Sequence, residues 1–269
     1  MKRRRGELWA VGVGIRAPSQ ATFEASARIE RAERVFSILA DPLAEYWVRG
    51  LNANTESLGA LYAAGKDRRT TYSEMVERIV GAVRGGFRVC AVAYGHPGVS
   101  AYPLHESVRR ARAEGFPAQM LPGVSAEDCL FADLGIDPTD YGCRSYEATE
   151  FLIYGRDADP TSYLILWQIG AIAVSDYVPE LDAWNRDGLT ALTERLLESY
   201  PAQHEVAVYD AATLPLCSPL IKNVALAELP RAPVTAMSTL FVPPKEAPRL
   251  DEAMLRRLRL APATPTEAG

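Results

Sequence analysis

The sequence predicts an α/β fold of two lobes, with a mostly parallel N-terminal sheet and a mixed C-terminal sheet. Three observations carry that expectation. Arg88–Tyr94 is a near-continuous apolar run of the kind a parallel sheet buries on both faces. Before and after it, short apolar runs ending in glycine turns alternate with stretches of helical spacing. Glu205–Tyr209 and Ala236–Val242 instead alternate like strands of a partly antiparallel sheet.

The elements follow in order. Leu8–Val13 is a short apolar run that stops at Gly12-Val13-Gly14. Ala21–Arg34 carries apolar residues at helical spacing, and Val35–Leu39 is β-branched and aromatic again. Thr71–Arg84 predicts a helix with Met75, Ile79, Val80 and Val83 on one side. Thr71-Tyr72-Ser73-Glu74 has the capping-box pattern, which makes Thr71 the N-cap, and Gly85-Gly86 stops the helix. A helix from about Pro103 to Glu114 and a strand at Ala118–Leu121 come next. A helix then opens at Ser125, a strand is expected at Tyr163–Trp167, and Gly188–Tyr200 is amphipathic. The lobes join near 120–124, which divides the chain into 1–120, 121–245 and a tail of 246–269 with a short helix around 250–259.

Composition narrows the function classes. The 269 residues are 48% hydrophobic, 23% charged and 9% aromatic, which excludes a disordered chain, a collagen and a coiled coil. A formal net charge of −5, without a basic stripe, speaks against a nucleic-acid partner. No stretch approaches the roughly 18–20 apolar residues of a membrane helix, so no membrane partner is expected. Met1-Lys2-Arg3-Arg4-Arg5 has the charge of a signal n-region, but Leu8–Ile15 is broken by Gly12 and Gly14 and offers no cleavage pattern. Cys90, Cys129, Cys143 and Cys217 form no CxxC, and His96, His105 and His204 are far apart. A cytoplasmic protein with reduced cysteines and no metal is the expectation.

Three glycine-bearing turns could carry chemistry. Val11-Gly12-Val13-Gly14-Ile15 is half a dinucleotide fingerprint, with Ala17 where the third glycine would fall. Tyr94-Gly95-His96-Pro97-Gly98-Val99 leaves a buried strand into a loop where backbone can approach a ligand closely. Leu121-Pro122-Gly123-Val124-Ser125 ends in a serine suited to cap a helix, whose free amides can hold an anion. In this order and spacing, the turns resemble the tetrapyrrole methylase superfamily, which binds S-adenosylmethionine in a cleft between two α/β lobes. Trp167-Gln168-Ile169-Gly170, Tyr209-Asp210-Ala211-Ala212 and Ser238-Thr239-Leu240-Phe241-Val242-Pro243 resemble later segments of that family. The resemblance covers roughly residues 7–245.

Two departures bear on the acceptor. Porphyrinoid methyltransferases of the family usually carry an aspartate in the first loop, where this chain has Arg16-Ala17-Pro18. They commonly have Gly-Asp-Pro where it has Gly95-His96-Pro97. Tyr94-Gly-His-Pro-Gly-Val99, Pro122-Gly-Val-Ser-Ala-Glu-Asp128, Phe131-Ala-Asp-Leu-Gly-Ile-Asp-Pro138 and Tyr146-Glu-Ala-Thr149 instead closely resemble the borosin α-N-methyltransferases, which methylate backbone amides of a ribosomal peptide. That resemblance implies S-adenosyl-L-methionine as cofactor, S-adenosyl-L-homocysteine as product, and a homodimer. It implies cofactor contacts at Tyr94, His96, Val99, Ser125, Ala126, Gln168, Ala211, Ser238 and Thr239, and a catalytic set of Tyr62, Arg68 and Tyr72.

The catalytic set suits the reaction. An amide nitrogen has its lone pair tied up in resonance, so its proton must be withdrawn as the methyl arrives. A phenol of pKa about 10 is too protonated for that at neutral pH, and a neighbouring guanidinium favours phenolate. With Thr71 as N-cap, Tyr72 falls in the first helical turn, where the dipole adds to the effect. Arg68 then precedes the helix, and contact between the two depends on the loop's path. Tyr72 is the expected general base. Arg68, or Arg69 in its place, assists it or polarises the amide oxygen, and Tyr62 orients the amide or relays the proton. Asp128 and Glu127 read as first-turn charges.

Fused borosins carry the target peptide at the C-terminus. Here Lys245–Gly269 has a basic amphipathic stretch, Met254-Leu-Arg-Arg-Leu-Arg-Leu260, then Ala261-Pro-Ala-Thr-Pro-Thr-Glu-Ala-Gly269, with no Val/Ile-rich segment. The expectation is a split arrangement with a separate precursor peptide. Two other readings keep the cofactor: methylation of a corrinoid, porphyrinoid or other small molecule, and a non-catalytic binding module.

Overall fold

A computed structural model describes residues 5–39, 41–179, 185–214 and 216–260. The segment Ala261–Gly269 and the first four residues, on which two of the expectations fall, lie outside the described residues.

The first half runs β1 (Glu7–Gly12), α1 (Phe23–Arg31), β2 (Arg34–Ile38), α2 (Pro42–Leu51), β3 (Thr55–Ser57), α3 (Arg68–Arg84), β4 (Arg88–Ala93), α4 (Tyr102–Ala113) and β5 (Ala118–Met120). Its strands form one sheet in the order β3-β2-β4-β1-β5, paired parallel throughout. The period of two along each strand sorts side chains onto two cores. Leu8, Ala10, Ala91 and Ala93 pack with Met75, Ile79, Val83, Leu104 and Val108 of α3 and α4. Val11, Cys90 and Val92 pack with Ala25, Ile29 and Val48 of α1 and α2. A sheet covered on both faces has to be apolar on both, which is why Arg88–Ala93 reads as a continuous run.

The second half runs α5 (Ala126–Leu134), α6 (Pro138–Tyr141), β6 (Cys143–Glu147), α7 (Ala148–Ile153), β7 (Tyr163–Trp167), α8 (Arg186–Leu197), β8 (Glu205–Asp210), β9 (Leu220–Ala225) and β10 (Thr239–Val242), and α9 (Glu252–Leu258) follows. The sheet order is β6-β7-β10-β8-β9, parallel between β6 and β7 and antiparallel elsewhere. Leu164, Leu166 and Leu240 pack with Phe151 of α7 and Leu189, Leu192 and Leu196 of α8. Tyr163, Ile165, Tyr209 and Phe241 pack with Leu130 of α5 on the opposite face. This is the expected α/β fold, a parallel five-stranded sheet followed by a mixed one.

One local expectation is corrected. Helix α3 begins at Arg68, and its N-cap is Asp67, whose side chain accepts from Thr70 N. Thr71 is buried inside the first turn, where its hydroxyl donates back to Asp67 O at 3.3 Å. The reason is tertiary. Residues 65–68 pair with 174–177 of the second half: Gly65 N to Tyr177 O at 3.1 Å, Tyr177 N to Lys66 O at 3.0 Å and Arg68 N to Ser175 O at 3.2 Å. That ladder ends the extended chain at Asp67 and leaves Asp67, not Thr71, at the capping position.

Candidate active site

The glycine turns after β1, β4 and β5 meet one another. Gly95 N donates to Gly14 O at 2.9 Å, and Gly14 N returns a bond to Gly95 O at 3.3 Å. A Cβ on Gly12 would lie 2.1 Å from Gly95 O, so any side chain there would force the first two turns apart. Gly123 of the third turn packs at the same point, with Gly95 O at 3.2 Å from an ideal Cβ.

Among the candidates beside these turns, Tyr94 follows β4 and is partly covered, and burial pushes its phenol pKa up. His96 holds its own loop: its Nδ1 accepts from Gly98 N at 2.9 Å. Val99 N donates to His96 O at 3.2 Å, and the Val99 side chain is exposed. Ser125 caps α5 in a capping box with Asp128, its Oγ and N both lying within 2.7 Å of Asp128 Oδ2. The Ser125 hydroxyl is therefore committed to the cap, and the first-turn amide of Ala126 is what this terminus offers a ligand. Asp128 and Glu127 stand in the first turn, as read from the sequence, and the Asp128 side chain also closes the cap.

The second-half candidates gather at the ends of β7, β8 and β10. Gln168 follows β7 in the left-handed region, with φ 57° and ψ 42°. Ile169 N donates to Ser238 O at 3.0 Å, tying the Gln168 turn to the loop before β10. Gly170 makes this approach possible, since a Cβ there would lie 2.1 Å from Thr235 O. Ser238 is fully buried and donates from Oγ to Asp210 Oδ2 at 3.0 Å. Ala211 follows Asp210, and Thr239 opens β10 opposite Tyr209. The two halves face each other near this point, where residues of both line one hollow. This hollow, of about 190 Å³, is lined by Arg16 and Gln20 of the first half and by Val124, Cys129, Ala212 and Pro219 of the second.

Tyr62, Arg68 and Tyr72 come together on α3 and the turn before it. Arg68 is the first helical residue and Tyr72 the fifth, so both stand on one face a turn apart. Arg68 Nη2 donates to Val174 O at 2.7 Å. Tyr62 packs edge-on to Tyr72, with ring centroids 6.4 Å apart at 89°. Burial first, then the neighbouring Tyr72 phenol, push the Tyr62 phenol pKa well above its usual range, while the charge of Arg68 opposes them. Arg69, the alternative to Arg68, is exposed, and its charge acts on Asp67 instead.

Sequence reading missed two further tyrosines. Tyr177 packs on Tyr62 at 4.9 Å between centroids, and Tyr102 lies 6.2 Å from Tyr72. Tyr177 gave no signal, since it meets Tyr62 only through the ladder between 65–68 and 174–177. Another hollow, of about 540 Å³, is lined by His105, Glu106, Arg109 and Arg112 of α4 and by Met120, and His105 Nε2 lies 2.9 Å from Gly98 O of the loop after β4. Its charged side chains pair with one another, as Glu106 does with Arg109 at 2.7 Å. Among the described residues no group of three or more His, Cys, Asp or Glu is placed to hold a metal ion, and no helix is long and apolar enough to cross a membrane.

Two walls of α/β structure, glycine turns in contact and a cleft between the strand ends define a class. Residues 7–218 match the tetrapyrrole (corrin/porphyrin) methylases, and the chain belongs to that family. It is similar to the methyltransferase and ribosomally synthesized cyclic peptide precursor of the gymnopeptides from Gymnopus fusipes, with 41% identity over 266 residues, 97% of this chain and 63% of that one. It is also similar to the methyltransferase and type I borosin cyclic peptide precursor of Coprinopsis marcescibilis, with 39% identity over 272 residues, 97% of this chain and 69% of that one. The chain therefore spans about two thirds of the length of these relatives. The crystal structure of uroporphyrin-III-C-methyltransferase from Thermus thermophilus shares the fold at a TM-score of 0.62 and 20% identity, over 92% of this chain and 99% of that one.

Proposed function

We propose that the chain is an S-adenosylmethionine-dependent methyltransferase that acts on backbone amide nitrogens of a peptide. One observation carries the reading: a guanidinium and a phenol, Arg68 and Tyr72, share one face at the start of α3, and a second phenol, Tyr62 of the preceding turn, packs against Tyr72. The relatives' names supply the acceptor class, since both pair a methyltransferase with a cyclic peptide precursor.

The cofactor fits the cleft. Its walls are backbone turns and small residues, Gly95, Ala126 and Ala211, and beside them lies a buried acceptor with no partner among the described residues, Asp210 Oδ1. Gln168, Ser238 and Thr239 would form one wall, with Tyr94, His96, Val99, Ser125 and Ala126 on the other. When bound, S-adenosylmethionine supplies an electrophilic methyl on a sulfonium that leaves as S-adenosylhomocysteine.

Tyr72 is the general base: its oxygen takes the amide proton as the nitrogen lone pair forms the new N–C bond. Arg68 stabilises the charge that builds on the amide oxygen. Its bond to Val174 O fixes the guanidinium before the acceptor arrives, so little reorganisation is left for the reaction. Tyr62, packed edge-on to Tyr72, orients the amide or relays the proton.

The acceptor reaches the site from outside residues 1–269, because Lys245–Gly269 contains neither valine nor isoleucine. A homodimer suits the exposed aromatics Phe23 of α1 and Tyr46 of α2, which a partner would cover. Free Cys90, Cys129, Cys143 and Cys217 suit a reducing, cytoplasmic setting.

Release of S-adenosylhomocysteine tests the reading, with a synthetic valine- and isoleucine-rich peptide in one arm and a porphyrinoid in the other. Turnover with the peptide alone is expected. Turnover with the porphyrinoid alone would select the small-molecule reading, and binding without turnover of either would select the non-catalytic one.

A further inference from the structure

Asp210 is the last residue of β8 and is followed by Ala211. Its two carboxylate oxygens differ. Oδ2 accepts from Ser238 Oγ at 3.0 Å. Oδ1 is sealed from solvent and has no hydrogen-bond partner among the described residues. Buried polar atoms are nearly always paired, and a carboxylate oxygen pays most for being left alone.

The neighbours leave Oδ1 nothing to accept from. The Ser238 hydroxyl is spent on Oδ2, while its oxygen accepts from Thr235 N at 2.9 Å. Burial pushes the Asp210 carboxyl pKa up, and the Ser238 bond is the one influence that opposes it. No cation contributes. The next residue is Ala211, and Tyr94 faces the carboxylate from the other wall closely enough to feel its charge. The position is thus surrounded by residues assigned to the cofactor, yet it is the only one of them with a sealed, unmet acceptor among the described residues.

We infer that Asp210 Oδ1 is a cofactor ligand, accepting a hydrogen bond from an N–H or O–H group of S-adenosylmethionine, with Ser238 as the residue that fixes the carboxylate for it. The inference rests on the proposed cofactor. The bound molecule offers donors at two ends, the α-ammonium of its amino-acid part and the hydroxyl and amine groups of its adenosine part. Either end meets the same acceptor chemistry.

Titration calorimetry of the wild-type chain, Asp210→Ala and Asp210→Asn separates the cases, with S-adenosylhomocysteine and 5′-methylthioadenosine as probes. Asp210→Ala should weaken S-adenosylhomocysteine about 10- to 100-fold, the worth of a hydrogen bond to a charged group. Loss for both probes places the donor on the adenosine end, and loss for S-adenosylhomocysteine alone places it on the amino-acid end. Asp210→Asn keeps the shape and an acceptor but not the charge, so it should fall between wild type and Asp210→Ala. It decides the matter if thermal melts show Asp210→Ala unfolded. Unchanged affinity in a folded variant, beside a wild type that binds, would overturn the role of Asp210 alone. A wild type that binds neither probe would overturn the proposed cofactor, and this inference with it.

Discussion

Arg68 and Tyr72 stand one turn apart on the same face of α3, and the guanidinium of Arg68 is anchored from the other half of the chain by Val174 O at 2.7 Å. Sequence reading had put Arg68 ahead of the helix. Inside it, the spacing of the pair is set by helical geometry, and its orientation by the ladder to 174–177.

That placement separates the two adjacent arginines. Arg68→Lys keeps a charge but loses the planar fork that reaches Val174 O and the acceptor together. Peptide methylation should fall about 10- to 100-fold with S-adenosylhomocysteine affinity unchanged. Arg69→Lys should leave both near wild type. Equal losses in steady-state rates for the two variants would contradict the assignment.

Gly170 joins the Gln168 turn to the Ser238 loop, with Thr235 O at 2.1 Å from an ideal Cβ. Backbone rather than a flexible side chain stands in the way. Gly170→Ala should therefore cost about 1–3 kcal/mol in urea unfolding, and should weaken cofactor binding because Ile169 N can no longer hold Ser238 O. A variant with full stability and full affinity would show that the close approach is not needed.

Alkaline stability tests a buried phenol. Tyr200 is 2% exposed, and its hydroxyl donates to Asp159 O at 3.3 Å. Burial, and then the charge of Asp159, push its pKa up to about 12. The unfolded value is about 10, so the folded state holds this proton more tightly. The stabilisation is fully present below about pH 10 and is lost as pH rises towards 12, roughly 2–3 kcal/mol in all. Urea unfolding at two pH values on either side of that window should show a smaller loss for Tyr200→Phe than for wild type. Equal losses would mean that Tyr200 titrates normally.

Much of the fold was legible because burial writes a pattern. Arg88–Ala93 and Tyr163–Trp167 are covered on both faces and read as apolar runs. β9, Leu220–Ala225, is an edge strand with four exposed residues, so nothing in LIKNVA distinguishes it from a loop. β6 is likewise a partly exposed edge. α2 did leave a signal that was passed over, an aspartate cap at Asp41 followed by Pro42 in the first turn. The cap of α3 was ambiguous in the sequence, since Asp67 and Thr71 both begin acceptable patterns, and a contact more than a hundred residues away decides between them. Asp210 was in view inside Tyr209-Asp210-Ala211-Ala212, but an unmet acceptor exists only once Ser238 and Tyr94 are folded around it.

The most direct measurement is tandem mass spectrometry of a valine- and isoleucine-rich peptide after incubation with S-adenosylmethionine and either the wild-type chain or Tyr72→Phe. Methyl groups on backbone nitrogens are expected with the wild type. The variant should lose at least about 100-fold of that activity while binding S-adenosylhomocysteine as before. Backbone methylation by Tyr72→Phe at the wild-type rate, or methyl groups confined to side chains, would contradict a phenol at position 72 taking the amide proton.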